Sequence, residues 1–462
     1  MMSRRTGVWR YAVGGALVAI VALAQGTVSA QSLEEALAKA YLNNPTLRAA
    51  RAELRATDEG VSQALSGWRP TLELGYDIGK EHSDSSGGNS SGAGTQNRTP
   101  RSGSVTVEQN IFQGFRTVAG TRQAEASVKA ERARLASTEQ SVLLDAATVY
   151  MDVVRDEAIL DLNVNNERVL RRQLEATRDR FEVGEVTRTD VAQAESRLSR
   201  AVADRIQSEG DLVRSRARFR NVVGDMPETL RPTKTLEGLP ATEDDAISRA
   251  QANNPSVLAA RFDERASKSA IESAEGELLP TVDLVGELNR ADQSSSPTSR
   301  SESASVTAQL TVPLYQAGAV SSRIRQAKQV WSQQRLLLDA AIRDATQAAT
   351  DAWKRLETAR AQITAFSAAV RAGEIALEGV RQEAQVGSRT VLDVLDAEQE
   401  LLNARVSLVG ADRDAVVASV DLRQAAGTLL ASTLNLPVEK YDPEKNYRAV
   451  RDRWFGTGIG SE

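Results

Sequence analysis

Side chains suited to covalent or metal chemistry are almost missing from this chain. Its 462 residues include one histidine, His82, and no cysteine. That count excludes thiolate nucleophiles, disulfides, cysteine-linked lipid, and the usual histidine and cysteine metal sites. His82 lies in a stretch rich in Gly, Ser and Asn and reads as a solvated side chain. No catalytic set, metal or cofactor is expected. What remains is carboxylate and guanidinium chemistry, and it gathers where the chain repeats itself. Val183–Leu198 and Val386–Leu401 share eight identical positions of sixteen. Each opens on Val-Gly and continues to a Thr and an Asp at matching places: Gly184, Thr187 and Asp190, then Gly387, Thr390 and Asp393. A glycine in the left-handed region is the expected stop of a helix, and Thr187 and Thr390 are the expected caps of the helices that return. Thr189 belongs to the first copy, and Arg389 and Asp396 to the second. On spacing alone, Asp190 and Arg389 are solvated surface charges, and Asp393 and Asp396 are two exposed acids on one helix face. Ion pairing or a ring of charge needs other elements to bring them together.

Those elements are written twice. Asn43-Asn44-Pro45 returns as Asn253-Asn254-Pro255, and Phe112-Gln113-Gly114 returns as Tyr315-Gln316-Ala317-Gly318. From Phe112 onward the copies match at an offset of 203, and before it at 210, so one loop differs by seven residues. Such a duplication is one structural unit used twice. Prolines are absent between 101 and 226 and again between 314 and 436, which predicts long helices at matching places. Val128, Leu135, Val142 and Val149 recur every seven residues. In the second copy the same register holds Ile324, Trp331, Leu338, Ala345, Ala352, Ala359 and Phe366. The returning arms carry Val191, Leu198, Leu212 and Phe219, interrupted by Arg205, and Val394, Leu401, Leu408, Ala415, Leu422 and Leu429 without interruption. A strict seven-residue repeat predicts coiled-coil packing. Each copy is therefore a helical hairpin with its tip at Gly184 or Gly387, and at 1.5 Å per residue its first arm spans about 100 Å. Aromatic residues make up only 4% of the chain, and its many alanines let such helices pack closely.

Beside the helices the period changes to two. Leu72, Leu74, Tyr76 and Ile78 alternate with polar residues, as do Val105, Val107 and Ile111. The second copy has Val282, Leu284 and Leu288, then Val306, Ala308, Leu310 and Val312. Apolar-out, polar-in segments of this length predict transmembrane barrel strands. A soluble sheet packed on the helices shows the same alternation. The acids Glu73, Asp77, Asp283 and Glu287 on the polar side, and the Gly/Ser/Asn-rich loops 82–101 and 291–302, favour a wet lumen with exterior loops. Four strands cannot close a barrel, and open edges are not tolerated in lipid, so oligomerisation is expected. Two chains would give eight strands filled by side chains; three would give twelve and a water-filled lumen.

An export signal precedes all this. Arg4, Arg5 and Arg10 lead into the apolar run Tyr11–Ala24, and Val28-Ser29-Ala30 offers a cleavage site before Gln31. Three of the 57 basic residues lie in that leader, leaving 54 against 62 acidic ones and a net charge of −8. An acidic exported chain of this kind is not expected to bind nucleic acid.

The order of leader, Asn-Asn-Pro helix, strand pair and long hairpin, then a second copy, resembles the TolC family of outer-membrane efflux and secretion channels. The resemblance covers about Ser32 to Trp454, and its most specific stretch is Val386–Ala397. The tail Tyr441-Asp442-Pro443-Glu444 through Arg453-Trp454-Phe455 resembles the ending of secretion-type members. The resemblance implies a fold that is mainly α with a transmembrane β-barrel contribution. It implies a homotrimer with a 12-strand barrel in outer-membrane lipid and a 12-helix periplasmic tunnel. It further implies a periplasmic membrane-fusion adaptor and an inner-membrane ABC transporter or proton-driven pump as partners. The chain would be a passive conduit for small toxic molecules or unfolded polypeptide, not an enzyme. By motif, Arg389 would pair with Thr189 and Asp190 to lock the inner end. Asp393 and Asp396 would ring the pore, and Gly184, Thr187, Gly387 and Thr390 would mark where the adaptor docks. The family's tyrosine three residues before the second tip glycine is replaced by Ala384, so that support of the lock is missing.

The expected organisation is a leader (1–30), a first repeat (31–240), a second repeat (241–432) and a tail (433–462) near the equatorial region. Strands are expected at about 71–80, 103–112, 281–290 and 303–312, and hairpins at about 114–223 and 317–430. The competing reading is a non-conducting periplasmic coiled-coil adaptor that bridges the envelope.

Overall fold

The computed structural model describes residues 31–85 and 94–459. The leader, residues 86–93 of the first exterior loop and residues 460–462 lie outside the described residues. Each copy begins with two helices broken at the Asn-Asn-Pro motif: α1 (Leu33–Asn43) and α2 (Pro45–Leu65), then α5 (Glu243–Asn253) and α6 (Pro255–Gly276). Proline suits the first position of the second helix because its missing N–H would have no partner there. Asn44 Oδ1 accepts from the Thr46 amide at 2.9 Å, and Asn254 Oδ1 accepts from Ser256 at the same distance. Their side-chain amides reach further. Asn44 Nδ2 donates to the Val222 carbonyl at 3.1 Å, and Asn254 Nδ2 to the Ala425 carbonyl at 3.3 Å. One residue type thus caps the entering helix and ties down the last turn of the returning arm in both copies.

The alternating segments form one antiparallel sheet in the order β1 (Thr71–Ile78), β4 (Arg101–Gln113), β5 (Thr281–Asp292) and β6 (Arg300–Thr311). Register sets the faces, because directly paired residues point the same way. Leu74, Val105, Leu288 and Ala304 form one apolar row, and Leu72, Val107, Gly286 and Val306 the next. Between them lies the polar row Glu73, Thr106, Glu287 and Ser305. A register shift between Asn110 and Phe112 leaves Ile111 unpaired and brings Phe112 opposite Val282. Simple alternation put Ile111 on the apolar face; the bulge gives that place to Phe112. The loop expected at 82–101 contains a second ribbon, β2 (Glu81–Ser85) with β3 (Gly94–Arg98). It has no apolar face, so hydropathy did not mark it. His82, expected to be merely solvated, is exposed but hydrogen-bonded through Nδ1 to Asn97 Oδ1 at 2.7 Å.

Below the sheet run the arms α3 (Arg116–Glu182) and α4 (Arg188–Val223), then α7 (Ala319–Gln385) and α8 (Val391–Ala425). Val128, Leu135, Val142 and Val149 are all buried, which is why the seven-residue spacing matters. In α7 the buried ladder positions are Ile324 and the alanines 345, 352 and 359. Two cores sit where the short helices meet the long ones. One joins α1 and α2 to α3, α4 and the last turns of α8 and includes the fully buried Tyr150 and Phe219; the other joins α5 and α6 to α7 and α8. Tyr150 Oη lies 2.8 Å from the carbonyl oxygens of both Gln31 and Arg231, to which its single proton can donate, and accepts from the Arg231 amide.

The tail begins at this belt, where Leu434, Leu436, Val438 and Tyr441 pack on the first core. It does not stay there. The Tyr441 amide donates to Tyr41 Oη at 3.0 Å, then Asn446 of α9 (Lys445–Val450) donates to Asp58 at 2.9 Å. Arg69 Nη1 finally holds the Arg453 carbonyl at 2.6 Å. The chain end therefore climbs along α2 from the belt to the foot of β1.

Candidate functional site at the hairpin tips

Both hairpins turn in the same way. Gly184 and Gly387 take φ of +81° and +80°, a conformation that costs other residues energy. The Glu185 amide donates to the Arg180 carbonyl at 2.8 Å, and Ser388 donates to Glu383 at 3.0 Å, so the last carbonyls of each outgoing arm are satisfied. Thr187 and Thr390 then cap the returning arms, and Asp190 and Asp393 complete reciprocal capping boxes. Asp190 Oδ2 accepts from Thr187 N and Oγ1, both at 2.8 Å; Asp393 Oδ2 accepts from Thr390 N at 2.9 Å and Oγ1 at 2.8 Å. The backbone and side-chain bonds from Thr390, with Arg389 nearby, hold Asp393 below the usual carboxylate range. A second pairing also repeats: Arg178 reaches Glu195 at 2.6 Å and Arg381 reaches Glu398 at 2.8 Å, each tying the two arms of one hairpin.

The expected lock residues are not joined within one chain. Arg389 Nε donates to Glu383 on its own hairpin at 2.9 Å, and that bond raises its pKa further. Thr189 is exposed on the first turn of α4, and Asp190 is engaged with Thr187. Ala384 lies partly buried against Leu377, Val394 and Leu401 and offers no side-chain hydrogen bond.

Near the tips the hairpins touch each other a turn further up. Leu395, 2% exposed, packs with Leu170 and Ala201 of the first hairpin, flanked by Leu198 and Val391. Beside it Asp396 Oδ1 accepts from Arg197 Nη2 at 2.5 Å. Asp396 is therefore partly neutralised by a cation of the other hairpin, while Asp393 belongs to a cap. Sequence reading missed Arg197. The available signal was its mismatch within the repeat, since its counterpart is Glu400. Among the described residues no cluster of His, Cys, Asp and Glu is arranged to hold a metal ion.

Comparison with known proteins agrees with this architecture. A profile of the outer membrane efflux protein family matches residues 14–225 and 246–428. The chain is 36% identical over 447 residues to the outer membrane efflux protein BepC of Brucella suis, covering 95% of this chain and 96% of that relative. It is 27% identical to the outer membrane protein TolC of Escherichia coli, covering 87% of this chain and 83% of TolC. The fold is similar to that of the Campylobacter jejuni CmeC outer membrane channel, with a TM-score of 0.78 over 91% of this chain and 89% of that one, at 14% identity. Lipid-type strands, paired long hairpins and a match over most of the length lead to one conclusion: the chain belongs to the outer membrane efflux protein family, and it is an outer-membrane channel-tunnel with a large periplasmic portion.

Proposed function

We propose that three copies close one pore, β1 of each chain pairing with β6 of the next. The observation that carries this is a four-stranded sheet with an apolar face, a polar face and two unpaired edges, set above arms about 100 Å long. Three sheets give twelve strands around a lumen lined by rows such as Glu73, Thr106, Glu287 and Ser305. The six hairpins below form the tunnel wall. At its inner end, Arg389 of one chain exchanges Glu383 for Thr189 and Asp190 of the neighbour. An exposed guanidinium–carboxylate link suits a switch because little free energy separates its alternatives. Asp393 and Asp396 ring the pore, with Arg197 moderating the second ring. The tips, at Gly184, Thr187, Gly387 and Thr390, dock a periplasmic adaptor, and an inner-membrane ABC transporter or proton-driven pump supplies the energy. The channel itself conducts passively and catalyses nothing. Its mixed polar walls suit both small toxic molecules and unfolded polypeptide.

Planar-bilayer recording of the pure protein tests this. Arg389→Ser with Asp190→Ala should raise the conductance well above that of the unaltered chain. If neither protein forms channels, the conducting role is wrong and a bridging scaffold takes its place. Asp393→Asn with Asp396→Asn should weaken cation selectivity and abolish block by multivalent cations; unchanged selectivity would put the rings elsewhere.

A further inference from the structure

Large apolar side chains are exposed at the foot of every strand of the four-stranded sheet. Trp68 precedes β1, Phe115 follows β4, Leu278 and Leu279 precede β5, and Leu314 and Tyr315 follow β6, at 93% and 86% exposure. These positions lie at the level where strands become helices. Aromatic residues with one apolar and one polar part favour that level in a membrane.

The tail brings two more aromatic residues to the same level. Trp454 is 65% exposed and Phe455 is 90% exposed. Their placement is built. Arg69, between Trp68 and β1, holds the Arg453 carbonyl at 2.6 Å, and its guanidinium lies 5.2 Å from the centre of the Trp454 ring. Ser62 Oγ donates to the same carbonyl at 3.4 Å. Trp68 is fixed in turn, because Gln109 Nε2 of β4 donates to its carbonyl at 3.1 Å. Arg453 folds back on the chain end, donating to the carbonyls of Phe455 at 3.4 Å and Gly458 at 2.7 Å. Two arginines therefore satisfy the tail's carbonyls, while its two rings stay largely exposed in the single chain.

We propose that Trp454 and Phe455 enter the inner leaflet of the outer membrane, so that the C-terminal tail is an interfacial anchor clamped to the foot of the barrel by Arg69. The occupant of this surface is lipid, because Arg69 holds the tail at the foot of β1, the start of the sheet that meets lipid. Arg69 and Arg453 lie where phosphate headgroups would meet them. The proposal rests on the outer-membrane location of the chain and adds the tail to its lipid contact.

Fluorescence in vesicles tests the anchor. The mature protein with Trp68→Phe, Trp331→Phe and Trp353→Phe retains Trp454 as its fluorophore. Reconstituted in phosphatidylcholine, it should lose intensity by at least about twofold when the acyl chains carry bromine near the headgroup, and less when bromine lies near the chain end. A protein retaining Trp353 alone, in the helical region, should be unaffected. A second variant, Phe455→Cys carrying an environment-sensitive dye, gives the same reading without altering any tryptophan. Unquenched Trp454, with quenched Trp68 and normal conductance, would overturn the anchor and leave the channel intact. Blue-shifted but unquenched emission would also overturn it, by placing the ring against a neighbouring protomer. Loss of quenching at both Trp68 and Trp454 with no conductance would overturn the barrel as well.

Discussion

The two hairpins have the same length, the same tips and the same Arg–Glu brace, but their interiors differ. In the first, Asn163 Nδ2 donates to Ser208 at 2.7 Å and Arg205 pairs with Glu167 at 2.6 Å. At the offset of 203 these four positions hold Phe366, Ala411, Leu408 and Val370 in the second hairpin. A polar layer in a coiled coil gives up stability and fixes register; an apolar layer does the reverse. The charge order at the tips is also exchanged, Arg180 pairing with Glu185 in one and Glu383 with Arg389 in the other. Contact near the tips is one-sided too: Leu395 reaches into the first hairpin, whereas its counterpart Ala192 is exposed. A repeated scaffold thus carries two walls with different tasks, one fixed in register and one able to engage its neighbour.

The largest effect should come from the place near the tips where the walls meet. Leu395→Ala should destabilise that contact by about 2–5 kcal/mol. Its measurable signs are faster hydrogen exchange near Leu170 and Ala201 and a leakier closed channel. Protection unchanged at both places would break the idea that the second hairpin braces on the first.

Next is Tyr150, whose counterpart in the second copy is Trp353. Tyr150→Phe removes the hydroxyl that holds Gln31 and Arg231 and should cost about 1–3 kcal/mol. Burial pushes its pKa up to about 12. Its folded pKa is raised above the usual tyrosine value of 10.0, so its contribution is full below that value and disappears as pH rises through about 12. The belt of the first copy should therefore loosen in that alkaline window before the belt of the second, as read by exchange or limited proteolysis.

The caps offer a test of equivalence. Thr187→Ala and Thr390→Ala should each cost about 0.5–2 kcal/mol, and by equal amounts, because the two boxes have matching geometry. Unequal melting shifts would show that the tips are not the same element. Asn163→Val should stabilise the first hairpin by up to about 1 kcal/mol while loosening its register, since Ser208 keeps its bond to the Asp204 carbonyl and no polar group is orphaned. A destabilised variant that keeps the same register would remove the case for a polar register layer.

The smallest stability change should follow Arg197→Gln, about 0–1 kcal/mol for a partly exposed pair. Its functional trace should be larger: with Asp396 no longer neutralised, cation selectivity should rise in bilayer recordings. Unchanged selectivity would place Asp396 away from the conducting path.

The long arms were legible because burial in a coiled coil leaves a period of seven, and Val128 through Val149 are buried as that period requires. The tips were legible because Gly184 and Gly387 follow the backbone geometry. Elements without an apolar face left no such trace, which is why the β2–β3 ribbon read as a loop. The bulge at Ile111 shifts one residue without altering composition. Arg197 and Asp396 lie on separate helices 199 residues apart, and neither periodicity nor spacing joins them. The path of the tail depends on isolated hydrogen bonds, donated by Arg69 to Arg453 and accepted by Asp58 from Asn446, which also have no pattern.

Asn44 and Asn254 have a consequence for the order in which the chain becomes native. Each amide bridges a very long sequence separation, 178 residues to Val222 and 171 to Ala425. Contacts across Gly184 or Gly387 join neighbours in sequence, so each hairpin can zip from its tip upward with little loop-closure entropy. The asparagine clasps, at the opposite end, close only when both arms are complete and in register. A slip of one turn would leave the clasp carbonyl out of reach. The repeated motif is thus a checkpoint on folding, satisfied last, and it couples completion of the belt to correct alignment of helices about 100 Å long.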